Sequence, residues 1–425
     1  MARKMKDSGI EWIGEIPEGW EIKYFVQLFS QVKNKNIGLR EKNLLSLSYG
    51  KIKQKSIETV GGLLPDNFEG YNIIDRNDIV LRLTDLQNDQ HSLRVGLSPE
   101  RGIITSAYCS IRVRGAESPN YLYYYLHTFD IAKGFYGMGS GVRQGLNWDG
   151  LKYIKILLPP QHEQDRISVF LNQKTLEIDS ILSKTISSIE EYKKFKQAVI
   201  TQAVTKGVRG EREMKDSGNP WFGQIPTDWK LSRVGLHFSI ILGKMLCTAP
   251  LNDTYTLEPY YCAADVHFDG VTDGERKKMW FSPIEKDLYR VSVGDLLVVE
   301  GGAGAGGSAI VEKQDSDTYV QNSIMIVRSK GNADNRYLRY LLEFLVKQGY
   351  IDVVCNKATI PHFTKDKLSC VPFCLCGEQE EIADYLDAKC AEIDKLIAKK
   401  EQLVKELESY KKSLIYEVVT GKREV

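Results

Sequence analysis

The chain has 425 residues, of which 42% are apolar and 27% are charged, and its formal net charge is +1. This length is too great for one ordinary hydrophobic core, and the composition is typical of a globular protein. The near-neutral charge excludes a protein that holds nucleic acid through bulk positive charge, and no apolar run approaches the ~20 residues of a membrane-spanning helix.

The N-terminal segment MARKMKDSG is basic but lacks the apolar region of a signal peptide. We therefore expect a cytoplasmic protein without membrane contact. Its eight cysteines are then expected to be packed thiols, since disulfides are rare in that compartment. Only Cys370, Cys374 and Cys376 cluster, and this spacing lacks the second pair or the close histidine of a zinc site. We predict no metal site.

The chain opens with an aromatic phrase that recurs in its second half. Residues 5–20 read MKDSGIEWIGEIPEGW and residues 214–229 read MKDSGNPWFGQIPTDW, so ten of sixteen positions are identical at an offset of 209. Each copy contains an Ile-Pro step and two tryptophans, which suit a short turn packed against the base of a larger element. We interpret this phrase as scaffold, without a chemical role.

A first globule follows, at about residues 21–158. The runs LLSLSYGKIKQ, DIVLRLTDLQ and AYCSIRVR, separated by Gly, Asn and Asp, predict short strands. NYLYYYLHTF predicts a short helix, and YIKILLPP predicts a final strand.

Glu163–Thr205 is predicted to be one long helix. Its 43 residues include no Pro or Gly and follow a heptad frame. At ~1.5 Å per residue it would extend ~64 Å, more than the width of such a globule, so we expect it to protrude. The apolar positions Leu182 and Ile189 widen the seam and would leave surface for helices of a partner. The seam itself consists of Leu171, Ile178, Tyr192 and Val199 at one position and Ile167, Ile181 and Phe195 at another.

The second globule, at about residues 230–371, has the same order of elements but few of the same side chains. Its glycine-rich run GGAGAGG (301–307) lies between two strand-like runs, LLVVE and SAIVEK, and therefore predicts a hairpin instead of a nucleotide-binding loop. RYLRYLLEFL and LSCVPFCL match the short helix and the last strand of the first globule.

A second long helix, Glu378–Thr420, repeats the first at an offset of 215 without a gap. The sequence thus predicts an α+β protein, with two mixed α/β globules separated by two long antiparallel helices that form a coiled-coil spacer, in pseudo-two-fold symmetry. The predicted segments are 1–158, 159–208 (first helix), 209–371 and 372–425 (second helix). The scaffold copies are alike and the globules are not, which indicates two different half-targets.

These features together resemble the specificity (S) subunits of type I restriction–modification systems. The resemblance covers essentially the whole chain and is carried by the repeated KDSG-x-x-W-x-G-x-I-P-x-x-W phrase, the duplicated helices and the transition Pro159-Pro160-Gln161-His162-Glu163-Gln164. The second transition departs from this pattern, because Cys376-Gly377-Glu378-Gln379 lacks the proline pair.

The resemblance implies that each globule is a target-recognition domain that reads one half of a split sequence in double-stranded DNA. It implies that the helices set the spacer and dock two methyltransferase (M) subunits, which methylate adenine N6 with S-adenosylmethionine. Restriction (R) subunits, which use ATP and Mg²⁺, would complete the nuclease. The chain itself would bind no cofactor.

No catalytic motif is persuasive in the sequence. Gly243-Lys244-Met245 lacks the context of a phosphate-binding loop, and Glu258-Pro259-Tyr260 is only a partial echo of an amino-methyltransferase motif. We therefore predict a non-catalytic specificity subunit. Two alternatives stay open at this point: a self-sufficient DNA-modifying enzyme, and a coiled-coil scaffold that joins two protein-binding globules.

Loops with hydrogen-bonding and basic side chains are the candidates for DNA contact, because they can enter a groove. In the first globule they lie on a basic loop, a polar loop and a glycine-rich loop. In the second they lie directly after Gly243, in a basic run, and in the segment before the last strand. The candidates are Tyr49, Lys51, Lys53, Lys55, Arg82, Thr84, Gln87, Arg94, Arg143, Gln144, Asn147, Lys244, Arg276, Lys277, Lys278, Lys357, His362 and Lys365.

Overall fold

The computed structural model describes most of the chain, and the described residues form two units. They are residues 3–56, 67–86, 89, 93–139, 145–313, 316–355 and 361–425. The first unit comprises Met1–Ile186 with Glu401–Val425, and the second comprises Ser187–Lys400. Each long helix is therefore shared between the units, whereas the four-segment division, which separates the helices from the globules, stays a prediction.

The first unit contains short strands, three short helices and parts of both long helices. Its strands are β1 (Met5–Asp7), β2 (Glu15–Pro17), β3 (Glu21–Tyr24), β4 (Phe29–Gln31), β5 (Leu45–Ser48), β6 (Lys51–Gln54), β7 (Asn72–Ile74), β8 (Ile79–Leu81), β9 (Val95–Leu97), β10 (Gly102–Ile104), β11 (Cys109–Val113) and β12 (Lys155–Leu158). Its helices are α1 (Phe25–Leu28), α2 (Pro119–Ile131) and α3 (Trp148–Leu151), before the long helix α4 (Gln161–Lys206).

The second unit repeats this order with longer insertions. Its strands are β13 (Met214–Asp216), β14 (Gln224–Pro226), β15 (Lys230–Arg233), β16 (Phe238–Leu242), β17 (Thr256–Tyr261), β18 (Val266–His267), β19 (Gly270–Val271), β20 (Lys278–Phe281), β21 (Leu296–Val299), β22 (Ser308–Ile310), β23 (Tyr319–Val320), β24 (Ile324–Ser329) and β25 (Pro372–Leu375). Its helices are α5 (Val234–His237), α6 (Pro283–Tyr289), α7 (Asn335–Lys347), α8 (Tyr350–Val354) and α9 (Lys365–Ser369), before the long helix α10 (Gln379–Val419).

The two globules share a sheet topology despite their different side chains. A four-stranded antiparallel sheet has the order β4-β11-β8-β9 in the first unit and β16-β24-β21-β22 in the second. In each, the first strand after the repeated phrase pairs with the last strand before the long helix, as β3 with β12 and β15 with β25. The central strands are fully buried at Ile79–Leu81 and Leu296–Val299. The predicted mixed α/β globules are thus confirmed.

The repeated phrase forms an antiparallel hairpin in each unit, β1 with β2 and β13 with β14. Its last tryptophan is buried, and the indole nitrogen donates to a carboxylate at the start of a long helix. Trp20 Nε1 lies 3.0 Å from Glu163 Oε2, and Trp229 Nε1 lies 3.0 Å from Glu378 Oε1. An arginine pairs with the same carboxylate in each case, Arg3 in the first unit and Arg212 in the second. The phrase thus packs against the base of a long helix in each unit, as predicted.

Segments of the two long helices run antiparallel to each other within each unit. In the first unit Lys411 Nζ lies 2.6 Å from Asp179 Oδ1, and in the second Lys196 Nζ lies 2.7 Å from Asp394 Oδ2. These two ion pairs occupy the same positions of the internal repeat. The apolar seam confirms part of the heptad prediction, since Leu171, Ile178, Leu386 and Ile393 are buried.

The second predicted seam position packs only in part. Ile167 is buried, as is Ile382 at the equivalent position of the second helix, but Ile181 and Phe195 are exposed, as are Leu403 and Tyr410 in the second helix. Ile189, which the sequence predicts to leave surface for a partner, is buried. A straight α-helix drifts by about 20° per heptad relative to a perfect seven-residue repeat, so a fixed frame misassigns faces over several turns. The exposed apolar residues on the long helices are therefore Val169, Leu176, Ile181, Ile186, Phe195, Tyr385, Leu403 and Tyr410.

Among the described residues, none of the helices combines the length and the apolar character that a membrane crossing requires.

Candidate nucleic-acid interface

The first candidate surface begins at the tip of the β5–β6 hairpin. Ser48 pairs with Lys51, so Tyr49 and Gly50 form a two-residue turn. Both have positive φ, +48° and +74°, as the tight hairpin turn that matches strand twist requires. A Cβ on Gly50 would lie 3.0 Å from Leu93 Cβ, which favours glycine there. Tyr49 is 76% exposed at the tip of this turn.

The alternating lysines that follow lie along this hairpin. Lys51, Lys53 and Lys55 are exposed, and the residue between the first two, Ile52, is buried. Lys51 Nζ lies 2.8 Å from Asp179 Oδ2 on α4, so its charge is already engaged. All three lysines thus reach solvent, and Lys51 is also held by α4.

The β8–β9 connection is the second loop of this surface, and it holds Arg82, Thr84 and Arg94. The Thr84 side chain is exposed, and the Arg82 guanidinium lies 3.4 Å from Asp89. Arg94 is fully buried, so we leave it out of the proposed DNA contacts. Gln87 lies outside the described residues.

The third loop, at residues 145–147, contacts the β8–β9 connection through a backbone hydrogen bond. Leu146 N–H donates to the Leu83 carbonyl at 2.9 Å. Asn147 accepts from Gly150 N–H at 3.1 Å and thereby caps α3. Arg143 and Gln144 lie outside the described residues. The hairpin tip, the β8–β9 loop and residues 145–147 thus adjoin one another in the first unit.

Of the basic residues predicted in the second unit, some form ion pairs with carboxylates and others are exposed. Lys244 is only 8% exposed and pairs with Glu285, close to the rings of Tyr255 and Phe281. Arg276 lies 3.2 Å from Asp265 and over the ring of Tyr261. Lys277 and Lys278 are exposed. We therefore keep this last pair as the better candidates for phosphate contact.

A second patch surrounds the predicted glycine-rich hairpin, which the structure confirms between β21 and β22. Gly301 bridges to His362, and His362 Nδ1 lies 3.4 Å from the Glu300 carboxylate. Lys365 is exposed at the start of α9. Lys357 lies outside the described residues.

The two units build this site at equivalent positions of the topology. In the loop after the central strand β8, the Leu83 carbonyl accepts a hydrogen bond from Leu146 N–H. In the loop after β21, the Glu300 carbonyl accepts one from Phe363 N–H, 2.6 Å away. A short helix follows each contact, α3 and α9 respectively. The side chains around the two contacts differ, so equivalent loops present different hydrogen-bonding groups.

Sequence reasoning missed the partners that engage several candidates. Asp179, Glu285 and Asp265 each pair with a candidate cation that is distant in the chain or separated from it by a turn. No local pattern signals such pairs. Within the described ranges, no group of three His, Cys, Asp or Glu side chains could hold a metal ion.

Comparison with known proteins gives the family context. No family model matches the chain. A relative from Methanocaldococcus jannaschii, provisionally named the type I restriction enzyme MjaX specificity subunit, is 26% identical over 437 aligned residues, which cover 96% of this chain and 95% of the relative.

Solved structures share the fold over the same extent. A chain from a study of complex assembly and conformational transition in the type I R-M system has a TM-score of 0.69 at 16% identity and covers 96% of this chain and 99% of its own. The crystal structure of the HsdS subunit from Thermoanaerobacter tengcongensis has a TM-score of 0.54 at 17% identity, covering 96% and 98%. Together with the sequence relative, these structures confirm the predicted resemblance: the chain is similar over nearly its whole length to the specificity subunits of type I restriction–modification systems.

Proposed function

We propose that this specificity subunit reads an asymmetric bipartite sequence in double-stranded DNA, one half with each unit. The observation that carries the proposal is the pair of equivalent loop sites, around Leu83–Leu146 and Glu300–Phe363, which have the same backbone construction and different side chains. Base edges are distinguished by the hydrogen-bonding groups that reach them. Two such sites with different groups are suited to two different half-sites.

In this proposal Tyr49, Thr84 and Asn147 serve the first half-site, and His362 serves the second. Exposed lysines would position the protein on phosphates, since such contacts fix register without reading sequence. These are Lys53, Lys55, Lys277, Lys278 and Lys365.

The long helices would dock two M subunits and fix the gap between the half-sites. Their exposed apolar residues support this role, because exposed apolar side chains grouped on one element are typical of interaction surfaces. Leu176 is 70% exposed and Val169 is 67% exposed on α4, seven residues apart. The M subunits would supply S-adenosylmethionine and the methyl transfer to adenine N6, and R subunits would supply the ATP- and Mg²⁺-dependent nuclease. The proposed site of action is the cytoplasm.

The first experiment maps methylated adenines in cells that carry this chain together with an M subunit. We expect a single split motif with two unlike halves. A palindromic motif would contradict the reading by unlike units, and methylation by the purified chain alone would favour a self-sufficient enzyme.

Charge reversal then separates DNA reading from a scaffold role. Changing Lys53→Glu and Lys55→Glu should weaken binding of the S–M complex to its duplex and reduce the slope of log K against log salt by about 2, since each phosphate contact contributes about 0.9. The matched control is Lys4→Glu with Lys6→Glu, an exposed alternating pair on the β1 hairpin, where binding should stay unchanged. Equal slopes for the two double variants would favour a scaffold of protein-binding globules.

A further inference from the structure

Arg94 is fully buried immediately before β9 and is surrounded by one loop. Its Nε donates to the Tyr136 hydroxyl at 3.2 Å. One terminal nitrogen donates to the carbonyls of Arg82 and Thr84, at 3.2 and 2.7 Å. The other donates to the carbonyls of Asp85 and Asp89. A guanidinium has five N–H donors in a fixed fork, and these five acceptors use all of them.

The surroundings compensate the cost of burying this cation. An unpaired buried charge is strongly unfavourable, so a buried guanidinium persists only with its donors satisfied. The Tyr136 ring centroid lies 5.0 Å from the guanidinium carbon, in cation–π geometry. The Arg94 backbone N–H also donates to Asp130 Oδ2 at 2.7 Å, which brings a carboxylate close to the same cation.

Of the five groups that accept hydrogen bonds from the Arg94 side chain, four are backbone carbonyls of the β8–β9 connection. That connection includes Asp85 with φ +54°, a left-handed conformation that is unfavourable for a residue with a Cβ. A loop with this conformation needs contacts that hold it. The loop in turn carries Thr84, which is exposed, and the Arg82–Asp89 ion pair.

The second unit holds its equivalent loop by another means. Between β21 and β22, Gly302 N–H donates to the Pro361 carbonyl at 3.1 Å and Gly306 N–H donates to the Val299 carbonyl at 3.0 Å. Gly302 and Gly306 have φ of +85° and +83°, which glycine adopts without strain. The second unit therefore fixes its loop with backbone hydrogen bonds that glycine N–H groups donate, and the first unit does so with a side chain.

We infer that Arg94 is a positioning residue for reading the first half-site. It does not touch DNA; it holds Arg82, Thr84, Asp85 and Asp89 in place through their carbonyls, so that the Thr84 side chain meets a base edge from a fixed position. A loop that is held in one conformation cannot adjust to a wrong base, so a mismatch leaves its hydrogen-bonding groups unpaired and discrimination improves. The inference rests on the proposed function and predicts a defect confined to one half of the target.

The test uses the complete S–M complex and the motif found by methylation mapping. Duplexes carry the cognate motif, a mismatch in the first half or a mismatch in the second half, and the ratio of mismatched to cognate Kd gives the discrimination at each half. Arg94→Met keeps much of the side-chain volume and removes the donors. We expect discrimination to fall by about tenfold at one half, the scale of a single good base contact, and to stay unchanged at the other.

Three further variants separate positioning from simple unfolding. Tyr49→Ala, at the hairpin tip of the same unit, should impair the same half as Arg94→Met. Arg94→Lys, which retains three donors, should recover part of the discrimination, and Tyr136→Phe, which removes one acceptor, should cause a smaller loss at that half. Hydrogen exchange of Arg94→Met should show lost protection at residues 82–86 and native protection at β8 and β11.

Several outcomes would overturn the inference. They are unchanged discrimination in Arg94→Met, equal losses at both halves, or lost protection throughout the first unit without recovery in Arg94→Lys. If the wild-type complex itself shows no discrimination against either mismatch, the proposed function fails, and that result is distinct from a wild type that discriminates and a variant that does so equally well.

Discussion

Replacing Glu378 with glutamine is expected to destabilise the second unit by about 3 kcal/mol, because breaking a buried ion pair leaves its partner uncompensated. The Glu378 side chain is 1% exposed, and its carboxylate lies 2.6 Å from Arg212 and 3.0 Å from Trp229 Nε1. It also accepts from Val208 N–H at 3.3 Å. Glutamine has one oxygen instead of two and no charge, so Arg212 loses its nearer counter-ion and keeps only the looser contact with Asp228, 4.0 Å away.

The internal repeat offers a matched control for this prediction. Glu163 makes the same contacts with Trp20 and Arg3, but its side chain is 19% exposed. Burial raises the pKa of Glu163, and the hydrogen bonds from Arg3 and Trp20 outweigh this, so the pKa lies below its usual value. Because water can solvate Arg3, we expect Glu163→Gln to cost only about 1 kcal/mol.

Hydrogen exchange in the β1–β2 and β13–β14 hairpins measures the local stability of each unit separately. Glu378→Leu combined with Arg212→Leu should recover much of the loss, since replacing both partners of a buried pair leaves no unpaired charge. Equal costs for Glu163→Gln and Glu378→Gln, or no recovery in the double variant, would contradict the argument.

Two buried groups on α2, His127 and Asp130, have pKa values that are shifted in opposite directions. Burial lowers the pKa of His127 to about 4, with a further contribution from Lys411 and Lys412. Burial raises the pKa of Asp130 to about 6, against the hydrogen bond from Arg94 N–H. The two residues are 8% and 2% exposed and lie three positions apart on the helix.

The signs follow from proton linkage. The His127 pKa is lower in the folded state than its ordinary value of 6.5, so its contribution to stability is present above pH 6.5 and is lost as the pH falls towards 4. The Asp130 pKa is higher in the folded state than its ordinary value of 3.8, so its contribution is present below pH 3.8 and is lost as the pH rises through 6. A shift of two to two and a half units corresponds to about 3 kcal/mol for each group.

Single variants should therefore expose opposite pH dependences that the native protein largely cancels. Relative to the native chain, His127→Phe should gain stability in the first unit as the pH falls from 6.5 to 4, by up to about 3 kcal/mol, because it removes a group that resists protonation when buried. Asp130→Asn, which keeps an acceptor for Arg94 N–H, should lose stability relative to the native chain over pH 6 to 4.

Denaturant unfolding at half-unit pH steps measures both differences, with hydrogen exchange assigning them to the first unit. Subtracting the unfolding free energy of the native chain from that of each variant cancels the contribution of the other carboxylates, because they titrate alike in both proteins. Difference curves of the same sign, or two flat curves, would show that these groups are not buried in the way described.

The scaffold could be predicted from sequence with good accuracy, since its signals are local and repeated. The sequence predicts one helix over Glu163–Thr205, and the structure has it from Gln161 to Lys206. The sequence predicts the other over Glu378–Thr420, and the structure has it from Gln379 to Val419. A helix of this length with no Pro or Gly leaves little choice of local structure. The tryptophan phrase repeats together with the helices, and this predicts its position against the helix base.

The candidate site could be predicted only as a set of loops. A basic residue in a polar loop has the same local signature whether it faces solvent, as Lys53 does, or is buried, as Arg94 is. Burial depends on partners that the fold brings together, such as Tyr136 for Arg94 and Glu285 for Lys244. Those partners lie some forty residues away in the chain, and a single sequence carries no signal that joins them.

The pairing of the first and last strands of each globule has an evolutionary consequence. Because β3 pairs with β12 and β15 with β25, the chain enters and leaves each globule through one pair of antiparallel strands. Genetic exchange with crossovers in these paired strands would replace everything between them and leave the hairpins and long helices unchanged. One such exchange would replace a whole globule while its flanking hairpin and long helix stay the same.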